Sequence, residues 1–110
     1  MLDKLDPAVR MRLLRVVAAV AWVDGEVQPA ERTFIERLLG RLPLSDRERA
    51  EAASLLDRAP HPAEADPSRI APEHREMLMD LVWQVMGADS TMSEEERVTA
   101  RELEELLLGR

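Results

Sequence analysis

The sequence has no cysteine, which excludes disulfides, thiolate metal sites and cysteine catalysis. It has no tyrosine and only two histidines, so imidazole and phenol groups for acid–base chemistry are scarce. His61 lies between prolines, and His74 falls in the first turn of a predicted helix near Glu73 and Glu76. Neither stands in a metal-binding or nucleophile–base spacing, and both read as solvated polar side chains. No glycine-rich phosphate loop is present. The longest uninterrupted apolar run, Val16 to Val23, is eight residues, against the ~20 needed to span a bilayer. The first residues carry acids and no signal-peptide apolar region, so a cytoplasmic protein without direct membrane insertion is expected. These absences point away from an enzyme.

What is present is charge and aliphatic surface. Hydrophobic residues make up 45% and charged residues 34%, the balance of one domain built from amphipathic helices. The net charge of −7 is uneven: residues 1–58 hold ten acids and ten bases, residues 59–110 twelve acids and five bases. An acidic second half argues against nucleic acid as a partner, because phosphates must be met by Lys or Arg. It suits a cation or a basic partner, and equally a simple role in solubility.

Local signals mark out five main helices. Asp6-Pro7 opens the first, in which Val9, Leu13, Val16, Val17 and Val20 recur at helical spacing while Arg10, Arg12 and Arg15 fall on other faces. Its end, Ala18 to Val23, is apolar all round and should be deeply buried. Gly25 is expected to stop it in a left-handed cap. Pro29 starts a second helix carrying Phe34, Ile35, Leu38 and Leu39 and ending at Gly40. Ser45-Asp46-Arg47-Glu48 is a capping box for a third helix reaching about Ala59. Four prolines between Ala59 and Pro72 exclude a continuous helix, although Asp66-Pro67 can cap one short turn bearing Ile70. Pro72 opens the fourth helix, with a stripe of Met77, Leu78, Leu81, Val82, Val85 and Met86, and Gly87 ends it. Ser93 and Glu96 box the start of the fifth helix, which carries Val98, Leu103, Leu106 and Leu107. The expected arrangement is all-α. A first hairpin spans about residues 7–40, a third helix 46–59, a connector 59–72, and a second hairpin 73–108, around one core.

The two hairpins share a pattern. Asp24-Gly25-Glu26-Val27 with Glu31 returns sixty-five residues later as Asp89-Ser90-Thr91-Met92 with Glu96. At the same offset Leu13 matches Leu78, Leu14 Met79, Val17 Val82, Val20 Val85 and Leu38 Leu103. An aspartate, a turn residue and a later glutamate make the second half of a calcium loop. The upstream positions that would supply oxygens hold Val20 and Trp22 in one copy and Val85 and Gly87 in the other, so neither is an ordinary EF-hand. Glu31 and Glu96 sit where a glutamate reaches back to a free N–H of the first helical turn. Val27 and Met92 should pin the loops to the core. Asp24 and Asp89 lie beside the negative end of the preceding helix and need compensation, from loop N–H groups, an arginine or a divalent cation. Glu26 and Thr91 would add oxygens to a cation site. Trp22 and Trp83 flank the two loops; core packing is the simpler reading, a groove for a partner helix or peptide the functional one.

Ala21-Trp22-Val23-Asp24-Gly25-Glu26-Val27 with Glu31, followed by Leu81-Val82-Trp83 and Ala88-Asp89 with Glu96, resembles the TerB-like family. That family includes the tellurite-resistance protein TerB and a related N-terminal domain of a membrane-anchored DnaJ-type co-chaperone. The resemblance runs from about Val9 to Leu108 and departs from the family pattern at Ser90, where the second glycine would stand. It implies a small helical domain, acidic signature positions at Asp24, Glu31, Asp89 and Glu96, and no enzymatic activity. It further implies an adaptor or metal-sensing role in tellurite, metal or envelope stress, near protein partners that include membrane-bound ones.

Overall fold

The computed structural model describes residues 2–87 and 92–109. Among them are five α-helices: α1 (Pro7–Ala21), α2 (Pro29–Arg41), α3 (Asp46–Ser54), α4 (Arg75–Met86) and α5 (Glu94–Leu108). The all-α expectation holds, and no strand occurs among the described residues.

Helix starts follow the local code. The Asp6 carboxylate accepts from the Ala8 N–H at 2.9 Å ahead of Pro7. Ser45 Oγ accepts from the Glu48 N–H at 3.1 Å, and Glu48 returns the bond to the Ser45 N–H at 2.8 Å. That second bond holds the Glu48 pKa below the usual carboxylate range. These bonds satisfy N–H groups that have no partner within the helix.

Three helix ends depart from the expectation, whereas α4 ends at Met86 with Gly87 as its cap, as expected. α1 stops at Ala21 with Trp22 as its right-handed cap, and the left-handed residue Gly25 (φ 95°) comes three positions later in the loop. There the Gly25 N–H closes a turn on the Trp22 carbonyl at 2.8 Å. Gly40 does not end α2, which continues to Arg41. α3 ends at Ser54 rather than near Ala59, and the reason is tertiary. The Leu55 carbonyl is taken by the Trp22 indole N–H at 2.7 Å, and the Leu56 carbonyl by the Arg32 guanidinium at 2.8 Å.

Arginine performs the same service elsewhere. Arg49 donates to the carbonyls of Leu39 (3.0 Å) and Leu42 (3.2 Å) at the end of α2, and Arg75 donates to that of Ile70 (3.0 Å). Arg10, expected on an outer face of α1, is instead buried and reaches the carbonyls of Leu2, Asp3 and Pro43. A guanidinium offers five donors in a fixed fork, so one side chain can collect several orphan carbonyls from different segments.

α1 and α4 form the centre. α4 packs on α1, α2 and α5, while α1 also meets α3 and α5. Leu13, Ala21, Leu78, Val82, Val85 and Met86 are wholly removed from solvent along this pair. The apolar end of α1 is buried through Ala21, but Val23, expected to share that burial, turns outward.

The connector is more ordered than one short turn. It makes three 3-10 turns, Pro62–Ala65, Pro67–Arg69 and Pro72–His74, each begun by a proline that needs no N–H partner. The last of them precedes α4, which therefore starts at Arg75 and not at Pro72. The first turn lies against α1, with Ala65 and Ile70 buried. The connector thus closes one side of the core.

Candidate functional site

Each loop–helix junction places a glutamate in the third position of a helix and buries it. Glu31 of α2 and Glu96 of α5 are both 1% exposed. The capping role expected for them is present: Glu31 Oε1 accepts from the Gln28 N–H at 3.0 Å, and Glu96 Oε1 from the Ser93 N–H at 3.3 Å. Capping alone does not account for the burial. Glu48 makes the same reciprocal box at the start of α3 and remains partly exposed. Glu96 Oε2 is buried and has no hydrogen-bond partner among the described residues. A buried carboxylate oxygen without a donor gives up hydration that nothing among the described residues replaces.

Asp24 is half-buried, and its Oδ1 accepts from the Glu26 N–H at 3.4 Å, so a loop N–H supplies part of the compensation it needs. Glu26 is exposed and accepts from the Gln28 amide at 3.2 Å. Val27 and Met92 are partly buried against the core, as expected of residues that anchor the loops. Asp89, Ser90 and Thr91 lie outside the described residues. Among the described residues, no three His, Asp or Glu side chains are grouped to hold a metal ion.

The two tryptophans are partly buried and each is tied down by its indole N–H. Trp22 bonds the Leu55 carbonyl, and Trp83 bonds Glu104 Oε2 at 3.2 Å. Each therefore has a structural task, with part of the ring left at the surface. His61 is not merely solvated: its Nδ1 accepts from the Ala63 N–H at 3.1 Å and caps the first connector turn. The Pro that follows it was the available signal, since a polar residue before a proline-led turn is a usual cap. His74 Nδ1 is buried without a hydrogen-bond partner among the described residues.

A small helical protein in which a buried glutamate caps the start of α2 and of α5 is the class defined by this geometry. Residues 1–54, just under half of the chain, match the family model described as tellurite resistance protein TerB, which supports a TerB-like assignment. The match covers α1, the first loop, α2 and α3, including Asp24 and Glu31. No curated protein and no solved structure matches the chain significantly. No helix among the described residues is long and apolar enough to cross a membrane.

Proposed function

We propose that this chain is a non-enzymatic TerB-like interaction module serving a bacterial response to tellurite, metal or envelope stress through protein–protein contact. The match of residues 1–54 to the tellurite-resistance family supports this reading, and that family is not one of known enzymes. Large apolar side chains also stand at the surface: Val98 is 43% and Leu106 66% exposed on α5. Affinity capture with cross-linking from the native cell should recover a reproducible partner with the parent chain. Val98→Glu combined with Leu106→Glu should lose it. Recovery of no partner, or full retention by the double variant, contradicts the reading.

A second reading is favoured by the buried, unmatched oxygen of Glu96. In it, Asp24, Glu31, Asp89 and Glu96, with Glu26 and Thr91 as further oxygen donors, hold a divalent cation that sets the geometry of the loops. The cation would supply charge neutralisation, and the chain's carboxylates would orient it. Calorimetric titration with calcium, magnesium, manganese and zinc should give a submillimolar site for one of them. That site should vanish in Asp24→Asn with Asp89→Asn. Binding that survives this double substitution, or no binding below millimolar concentration, removes the sensor idea.

A further inference from the structure

A cleft of about 630 Å³ lies between α1, the end of α3 and the connector, on residues outside the acidic loops. Arg15, Arg58 and His61 supply its positive and donor groups, and Leu55, Ala59 and Pro60 form an apolar wall. A smaller recess of about 300 Å³ shares Arg15 and Glu64 with it and adds Arg12 and Arg69. Four arginines thus gather on one side of a chain whose net charge is −7.

The carboxylates that line the same space are already engaged by the fold. Glu51 accepts from Arg15 Nε at 2.8 Å, and Glu64 Oε1 from the His61 N–H at 3.3 Å. Asp66 Oδ1 accepts from the Ser68 hydroxyl at 2.7 Å and from its N–H at 2.9 Å. Those Ser68 bonds, the hydroxyl's first, hold the Asp66 pKa below its usual range. Arg12 and Arg58, by contrast, make no ion pair or side-chain hydrogen bond among the described residues. Because the Ala63 N–H occupies Nδ1 of His61, the neutral ring carries its proton on Nε2 and offers a donor there.

We propose that this cleft binds a small organic molecule bearing a phosphate group. A carboxylate presents two oxygens and a single charge, which one guanidinium fork already matches in geometry and charge. Donors arriving from α1, the turn after α3 and the connector suit a group with three free oxygens and up to two charges. The apolar wall of Leu55, Ala59 and Pro60 takes the organic part, and the volume falls within the ~300–1,000 Å³ usual for small-molecule sites.

The test is a titration of the full chain, followed by amide NMR shifts, with phenyl phosphate, benzoate and phenol as probes. Phenyl phosphate should give saturable shifts confined to Arg12, Arg15 and residues 54–64, while phenol gives none and benzoate binds more weakly. Arg58→Ala combined with Arg12→Ala should weaken phenyl phosphate by about tenfold or more, the scale of a lost charge-assisted bond. Arg101→Ala, an exposed arginine of α5 outside the cleft, should not change it. Neither the Arg12 nor the Arg58 side chain bonds another of the described residues, so thermal melts of the double variant should match the parent. Lack of saturable shifts overturns the proposal. So does benzoate binding as tightly as phenyl phosphate, a double variant that binds like the parent, or an equal loss in Arg101→Ala.

Discussion

Arg10→Ala should destabilise the protein by about 2–4 kcal/mol, a fall in Tm on the order of 10–25 °C for a domain of this size. Arg10 is 2% exposed. Its guanidinium donates to the carbonyls of Leu2 (3.4 Å), Asp3 (3.5 Å) and Pro43 (3.4 Å), joining the N-terminal turn to the loop after α2. Each bond is long and individually modest. The cost of deletion comes from the partners left behind, because a buried carbonyl without a donor loses its hydration and receives nothing in return. The methylene stem is lost as well. Two variants separate these parts. Arg10→Met restores the stem and should recover only a fraction of the loss; Arg10→Lys restores a charge but cannot reach three carbonyls from one ammonium. Thermal denaturation followed by circular dichroism is the measurement. A Tm for Arg10→Ala close to that of the parent would show that the buried guanidinium contributes nothing to the fold.

Ile70→Ala should cost about 2–5 kcal/mol, the range for a large-to-small change at a fully buried aliphatic site. Ile70 is 2% exposed and belongs to the main core although it sits in the proline-rich connector. Its carbonyl is also held by Arg75, so the surrounding backbone is poorly placed to collapse into the space left by the deleted methyls. A urea titration should show a lower midpoint with a nearly unchanged slope. For comparison, Val98→Ala on the exposed side of α5 should stay within about 0.5 kcal/mol of the parent. If Ile70→Ala behaves like Val98→Ala, the connector is a surface linker and does not close the core.

These two residues also mark where reading the chain succeeds and where it stops. Ile70 was visible as an apolar residue after a capped proline turn, since Asp66, Pro67 and Ile70 are neighbours and the turn is a local event. Its burial depends on α1 offering an apolar face to the connector, which no local rule states. Arg10 was placed on an outer face by its spacing from Val9 and Leu13. Spacing alone cannot foresee that the N-terminal turn and the loop after α2 fold over that face with their carbonyls unpaired. The end of α3 was misplaced for a related reason: Trp22 and Arg32, far off in the chain, take carbonyls that a longer helix would have used.

The candidate sites divide the same way. That Glu31 and Glu96 return a bond to the start of their helices was legible from three-residue spacing. Their nearly complete burial was not, and it distinguishes them from Glu48 in the same local motif. The arginine-lined cleft and the recess beside it have no signature in the sequence, because Arg12, Arg15, Arg58 and Arg69 come from α1, the turn after α3 and the connector.

By itself, then, the amino-acid order determined the helical class, where most helices begin, and the capping glutamates Glu31 and Glu96. Each of these depends on groups a few residues apart. Only the tertiary structure decided where α1 and α3 end, which charged side chains are buried, and which arginines meet. Those outcomes depend on carbonyls and charges brought together from distant segments, and the chain reveals such partners only once it is packed.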